Sequence, residues 1–84
     1  MDLRVLNYFL VVAQEENITR AAEVLNLTQP TLSRQLKSLE DELDIILFDR
    51  TNHAITLTEA GRLFRQRAQD MLTLVERTKD KHKN

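Results

Sequence analysis

One segment of the chain, residues 19–37, closes a short helix and opens a second one within three residues. Asn26 suits the left-handed conformation that ends a helix, and Thr28 suits the N-cap of the next helix, with Pro30 in its first turn. Beyond this turn, leucines recur at steps of four, three and four, which predicts a helix buried along one side. The segment therefore predicts a helix-turn-helix, and the rest of the chain must fold around it.

The length and composition limit what the chain can be. Its 84 residues provide one domain with a modest core but no catalytic cleft with a lid. One Gly and one Pro predict a largely helical chain, and the absence of Cys excludes disulfides and thiolate metal sites. No apolar run approaches the roughly 20 residues of a membrane span. We expect a cytoplasmic protein with no membrane, metal or cofactor requirement.

The net charge of −1 is the sum of patches of opposite sign. Residues 24–39 include two bases and no acid, whereas residues 40–49 include five acids before the first base. Bases again outnumber acids, seven to three, from Arg62 onward. Because the distribution matters more than the sum, the slightly acidic total does not exclude contact with a nucleic acid.

The whole pattern predicts a mainly α winged helix-turn-helix: a three-helix core, a short β-hairpin wing and a long final helix. The predicted domain covers residues 1–58, and a linker and dimerisation helix with a polar tail covers residues 59–84. The predicted helices span residues 3–14, 18–25 and 29–43, the hairpin pairs residues 46–48 with 55–57, and Thr58 caps the last helix.

Two helices carry more apolar surface than a domain of this size can cover. The first helix is apolar on two opposite faces, so one face packs in the core and the other needs a partner. The last helix carries a stripe close to a coiled-coil seam. We predict that it pairs with a copy of itself or with the first helix of a partner. The predicted dimer interface comprises Val5, Tyr8, Val12, Phe64, Met71, Leu74 and Val75.

The outward face of the helix over residues 29–43 is polar and basic in its first turns. Such a face suits the major groove of DNA, where Gln pairs with adenine, Arg with guanine, and Ser or Thr with either. Asp41 lies further down the same face, so we expect only about the first two to three turns to enter the groove. The alternative is an ordinary solvated face. The candidate DNA-binding residues are Thr28, Gln29, Pro30, Thr31, Ser33, Arg34 and Lys37.

The wing adds three further DNA-binding candidates, Arg50, Thr51 and His53. Arg50 can clamp a phosphate or pair with an acid of residues 40–44, and the sequence leaves both open. Those acids lack the spacing of a calcium loop, so we interpret them as a solvated face and not as a metal site. No catalytic arrangement of side chains occurs in the sequence, and we predict that the chain is not an enzyme.

Spaced residues along most of the chain carry a family resemblance. Over about residues 3–61 they resemble the DNA-binding domain of bacterial LysR-type transcriptional regulators, and the helix that follows is similar to the linker helix that pairs two subunits in that family. The residues that match are Leu6-x-x-Phe9, Ala21-Ala22-x-x-Leu25, Thr28-Gln29-Pro30-x-Leu32-Ser33-x-x-Leu36-x-x-Leu39-Glu40, Leu47-Phe48-x-Arg50-Thr51 and Leu57-Thr58-x-Ala60-Gly61.

The resemblance implies a homodimer on an interrupted palindromic operator of double-stranded DNA, and it leaves open whether the full-length protein is a tetramer. In the family a larger domain, which binds a small-molecule effector, follows the linker helix. This chain stops where that domain would begin, so we expect an excised DNA-binding domain.

Two departures from the family pattern lead to further expectations. Asp44 stands where Gly usually ends the recognition helix, and Asp tolerates the left-handed conformation less well, at a cost of about 1 kcal/mol. We therefore expect an altered end to that helix. His53 stands where the wing commonly carries Arg, and a neutral imidazole would hold phosphates more weakly. The alternative function is a winged-helix protein-interaction module with weak or no DNA binding.

Overall fold

The computed structural model describes residues 1–51 and 54–83, with side chains described up to Lys79. It confirms the predicted winged helix-turn-helix followed by a long helix. The elements are α1 (Leu3–Glu15), α2 (Ile18–Leu25), α3 (Gln29–Leu43), β1 (Phe48–Asp49), β2 (Thr56–Leu57) and α4 (Glu59–Lys83).

Local capping chemistry sets the boundaries of the helix-turn-helix. The Asn17 side chain accepts a hydrogen bond from the Arg20 backbone N–H at 2.9 Å and begins α2. Asn26 has φ 57° and ends α2, and Thr28 then begins α3 by accepting from the Thr31 N–H at 3.3 Å. Since each cap depends on a few adjacent residues, both helices begin and end at the predicted positions.

The prediction of an altered end to α3 is wrong. Asp44 takes the left-handed conformation, with φ 57° and ψ 41°, that Gly would take at this position. The helix ends at Leu43. The Ile45 N–H donates to the Glu40 carbonyl at 3.2 Å, which is the hydrogen bond that spans six residues in a Schellman cap. The hydrogen bonds of the cap hold Asp44 in this conformation in spite of its side chain.

A single apolar core joins all four helices and the wing. Phe9 of α1 lies at its centre, with its ring centroid 5.3 Å from that of Phe48 and 5.0 Å from that of Phe64. The leucines of α3 pack against α1 and α2 and leave the opposite face of α3 in solvent. The buried apolar residues are Leu6, Phe9, Val12, Ala13, Ala21, Ala22, Leu32, Leu36, Leu39, Leu47, Phe48, Ile55, Phe64 and Ala68.

This core corrects two of the predicted dimer-interface residues. Val12 is completely buried, and Phe64 is only 9% exposed because its ring packs edge to face against Phe9. In the folded domain Val12 therefore offers no surface to a second chain, and Phe64 offers little. The sequence pattern placed them on an apolar face correctly, but that face covers the chain's own core.

The wing is a two-stranded antiparallel hairpin that packs directly on the start of α4. Phe48 pairs with Leu57 and Asp49 with Thr56, so the ladder is shorter than predicted. The Thr58 N–H donates to the Leu47 carbonyl at 2.9 Å. Gly61 lies so close to this carbonyl that a Cβ on Gly61 would overlap its oxygen. Because Gly61 has no side chain, the backbone of α4 can approach the wing this closely.

Candidate nucleic-acid interface

The solvent face of α3 displays the predicted base-reading side chains. Gln29, Pro30, Ser33, Arg34 and Lys37 are all exposed, and they lie opposite the buried leucines of the same helix. The capping residue Thr28 is also exposed, and Thr31 is half-buried. The face that would enter a DNA groove is therefore uncovered by the rest of the domain.

Hydrogen bonds order the side chains at the beginning of α3. The Thr28 hydroxyl donates to the Thr31 hydroxyl oxygen at 2.8 Å, and the Arg34 Nη2 donates to the same oxygen at 3.4 Å. The Thr19 hydroxyl of α2 donates to the Gln29 Oε1 at 3.3 Å, and nothing in the sequence pattern predicts this contact. These contacts reduce the number of rotamers that binding would have to restrict.

Lys37 has a partner on its own helix. Its Nζ lies 3.2 Å from the Asp41 Oδ1, one turn further along α3. Both side chains are well exposed, and ion pairs of this kind contribute about 1 kcal/mol or less. A phosphate could therefore replace Asp41 as the partner of Lys37 at little cost.

The wing residue Arg50 pairs with a buried acid of α3. Its Nη2 lies 3.4 Å from the Glu40 Oε1, and its guanidinium carbon lies 5.9 Å from the centre of the Phe48 ring. Of the two roles that the sequence left open for Arg50, the ion pair is present, and the phosphate clamp stays a prediction. The Arg50 side chain is 47% exposed, so part of its guanidinium still faces solvent.

Glu40 corrects the interpretation of residues 40–44 as a solvated acidic face. Its neighbours Asp41, Glu42 and Asp44 are exposed, but Glu40 is only 5% exposed. Its position four residues after the buried Leu36 places it on the inner side of α3, a signal that helical spacing alone could have given.

The other wing candidates differ in what the structure describes. Thr51 is exposed, and its backbone N–H donates to the Asp49 Oδ1 at 3.0 Å. This hydrogen bond is the main reason why the pKa of Asp49 lies below its usual value. His53 lies outside the described residues.

A cleft of about 460 Å³ brings the two groups of candidates together. It lies between the first turns of α2 and α3 and the wing, and its walls include Gln29, Ser33 and Arg50. The N-cap Asn17 and Thr19 of α2 line the opposite side. Residues from the recognition helix and from the wing thus share one concave surface, whose lining is partly polar and partly apolar.

The predicted dimer-interface residues other than Val12 and Phe64 remain accessible. Val5 and Tyr8 of α1 are half-buried, as are Met71 and Val75 of α4. Leu74 is 61% exposed. Their role in pairing two chains stays a prediction.

Two other kinds of feature are absent from the part of the chain that the structure describes. Within it, no three His, Cys, Asp or Glu side chains cluster in a way that could hold a metal ion. Over the same residues, no helix is both long and apolar enough to cross a membrane.

A helix-turn-helix with an open recognition helix and a wing beside it defines a winged helix-turn-helix DNA-binding domain. Residues 3–62 match the family described as bacterial regulatory helix-turn-helix protein, lysR family. The chain belongs to the LysR family, which is one of transcriptional regulators and not of enzymes.

Individual relatives agree with this assignment. The chain is 53% identical over 73 residues to the HTH-type transcriptional regulator BsdA of Bacillus subtilis (strain 168), covering 86% of this chain and 25% of that protein. It is 50% identical over 76 residues to the probable cat1 operon transcriptional activator of Acinetobacter lwoffii, covering 90% of this chain and 25% of that protein. The chain thus spans about a quarter of the length of these curated relatives.

Solved DNA complexes share the fold. The DNA-binding domain of BenM bound to catB site 1 DNA superposes with a TM-score of 0.92 at 40% identity, covering 99% of this chain and 93% of that one. The DNA-binding domain of CbnR in its DNA complex superposes with a TM-score of 0.93 at 37% identity, covering 99% and 95% of the respective chains.

Proposed function

We propose that this domain binds a double-stranded DNA operator as a homodimer, with α3 reading bases and the wing holding the backbone. One observation carries the proposal: the acid-free first turns of α3 are exposed and share a cleft with Arg50 of the wing. Residues 1–58 are the DNA-binding unit in this proposal, and α4 is the dimerisation helix.

The order of side chains along α3 supports a role in reading bases. Arg34 and Gln29 offer the donors and acceptors that match guanine and adenine edges, and the Pro30 ring suits a thymine methyl group. Thr28 lies at the helix N-terminus, where backbone N–H groups favour a phosphate. Asp41 and the exposed acids that follow it repel phosphates, so the end of α3 stays outside the groove.

An uncovered apolar stripe on α4 supports the homodimer. Leu63 and Leu74 are 59% and 61% exposed, and Met71 lies between them on the same side of the helix. A second copy of the chain has the same stripe, so a two-fold pairing would cover both at once. Exposed leucines at helical spacing are typical of such a seam.

A two-fold dimer specifies the form of the operator. Two recognition helices related by a dyad read the same sequence on opposite strands, so the operator is an interrupted palindrome. The half-sites then lie one or more helical turns apart, about 34–36 Å per turn.

Selection from random duplex DNA at near-physiological salt tests the proposal. We expect the 84-residue chain to enrich a two-fold symmetric, interrupted site, and Arg34→Ala to lose the enrichment at one position of each half-site. Retention without enrichment would restrict the function to phosphate binding. A chain that dimerises but retains no DNA would contradict the proposal and favour the protein-interaction module.

A further inference from the structure

A buried carboxylate joins the recognition helix to the wing. The Glu40 Oε2 accepts hydrogen bonds from the backbone N–H groups of Leu47 at 2.7 Å and Phe48 at 3.3 Å. The other oxygen, Oε1, accepts from the Arg50 Nη2 at 3.4 Å. One side chain of α3 thus contacts three residues within a stretch of four at the start of the wing.

The hydrogen bonds to the backbone alone do not require a charge. An uncharged amide oxygen can also accept from the Leu47 and Phe48 N–H groups, although more weakly, and burying a carboxylate is costly unless a cation pairs with it. The charge of Glu40 has its use at Oε1, where it faces the guanidinium of Arg50. The charge of this acid therefore acts on Arg50.

The contact favours one direction for the Arg50 side chain. Glu40 holds one edge of the guanidinium, and the Phe48 ring lies beneath the group at 5.9 Å. A guanidinium has five N–H donors in a rigid planar fork, so holding one edge directs the others. Arg50 lines the same cleft as Gln29 and Ser33 of α3, which places the other N–H groups of its guanidinium beside the surface proposed to meet a DNA phosphate.

We propose that Glu40 is a positioning residue for DNA binding, which orients Arg50 of the wing toward a backbone phosphate next to the recognition helix. This inference rests on the proposed function, since it concerns how the same surface contacts DNA. It assigns Glu40 a role beyond the fold, although Glu40 touches no DNA itself.

A double-mutant cycle of DNA affinity tests this role on the duplex enriched by the selection above. Glu40→Gln keeps the shape and an acceptor for the backbone N–H groups but removes the charge opposite Arg50. Arg50→Ala removes the phosphate contact. We expect each change to weaken binding about tenfold, the equivalent of one charge-assisted hydrogen bond, and the double variant to bind no more weakly than Arg50→Ala.

The salt dependence of affinity distinguishes positioning from a structural role. We expect both single variants to lower the slope of log affinity against log salt by about 0.9, the value for one lost phosphate contact. A variant that only lowered the folded fraction would leave this slope unchanged, so an unchanged slope for Glu40→Gln would contradict the proposal. Losses that multiply in the double variant would also contradict it.

Arg50→Lys provides a second test that leaves Glu40 in place. A lysine keeps the positive charge, but it has no planar fork that could contact the carboxylate and a phosphate along separate edges. We expect Arg50→Lys to lose most of the affinity that Arg50→Ala loses. Wild-type affinity in Arg50→Lys would show that orientation by Glu40 is unimportant.

Failure of the proposed function gives a different result. In that case the wild-type chain itself would show no affinity for duplex DNA, whereas failure of the present inference alone leaves wild-type binding intact and Glu40→Gln within twofold of it.

Discussion

The ring of Phe64 in α4 meets the ring of Phe9 in α1 edge to face, with the centroids 5.0 Å apart and the planes inclined at 73°. Aromatic pairs favour this geometry because the positive edge of one ring faces the negative face of the other. The contact attaches the first turns of the long helix to the body that carries the recognition helix. The direction of α4 is therefore set by the core of the domain.

Replacing Phe64 should consequently destabilise the whole domain. We expect Phe64→Ala to lower the free energy of unfolding by about 3–5 kcal/mol, because it leaves a cavity beside Phe9. Urea unfolding followed by circular dichroism measures the loss. Arg65→Ala, an exposed neighbour, is the control and should change stability by less than about 0.5 kcal/mol. Equal effects from both variants would contradict the core position of Phe64.

Arg34 should contribute to the affinity for DNA and not to the stability of the fold. We expect Arg34→Ala to weaken binding to the enriched duplex by about 1–3 kcal/mol and to relax base preference at one position, since its guanidinium suits a guanine edge. Fluorescence anisotropy titration gives the affinity. The adjacent Gln35→Ala is the control, because Gln35 faces α1 at the edge of the helix. Unchanged affinity for Arg34→Ala would remove it from the base-reading set.

A charge in the apolar stripe of α4 should separate the proposed dimer. We expect Leu74→Asp to shift sedimentation toward the monomer and to weaken operator binding, because the dimer would bury the new carboxylate without a partner. Thr73→Asp adds the same charge at an exposed residue off the stripe. A persistent dimer in Leu74→Asp would place the interface elsewhere.

Replacing Asp44, which has the left-handed conformation at the end of α3, should raise the stability of the domain. Gly adopts φ 57° without the steric cost that Asp incurs, so we expect Asp44→Gly to stabilise the domain by up to about 1 kcal/mol. Asp41→Gly provides a control inside the same helix, where Gly should lower stability by roughly a few tenths of a kcal/mol relative to Asp and also removes the ion pair with Lys37. Thermal unfolding of the two variants should therefore shift in opposite directions, and a fall in both melting temperatures would show that the Asp44 side chain stabilises the cap.

The stability of the first turn of α1 should depend on pH. The Asp2 Oδ1 accepts from the Val5 N–H at 3.0 Å, and this hydrogen bond is the main cause of a pKa below the usual 3.8. A folded-state pKa below the unfolded one gives stability that is complete above about pH 4 and falls as the pH drops through the folded pKa. The protection of the Val5 N–H, which is the slowing of its exchange compared with that of an unstructured peptide at the same pH, should fall over that range. Asp2→Asn keeps the cap without titrating, so its exchange should lack this pH-dependent step.

The sequence was sufficient where structure depends on adjacent residues. Asn17, Asn26 and Thr28 cap helices through contacts within a few residues, so the bounds of α2 and α3 could be predicted to the residue. The two β-prone segments likewise indicated the hairpin, although its ladder is shorter than they suggested.

Sequence pattern failed where several partners compete for one face. Periodicity marks Val12 and Phe64 as apolar, but it cannot tell whether a chain's own core or a second copy covers them. Helical spacing indicates that Glu40 faces inward, but it does not identify the groups that pair with its carboxylate. Its partners, the Leu47 and Phe48 N–H groups and Arg50, are brought to it only by the turn between α3 and the wing.

The continuity of α4 from Glu59 to Lys83 bears on how the spacing between two half-sites could be regulated. Twenty-five residues form a rod about 37 Å long at 1.5 Å per residue. In the proposed dimer, a rotation of such a rod by roughly 10° displaces its far end by roughly 6 Å, about half the width of the major groove. A small change in the crossing angle of the two rods would thus move one recognition helix out of register with its half-site, with no rearrangement inside either DNA-binding body.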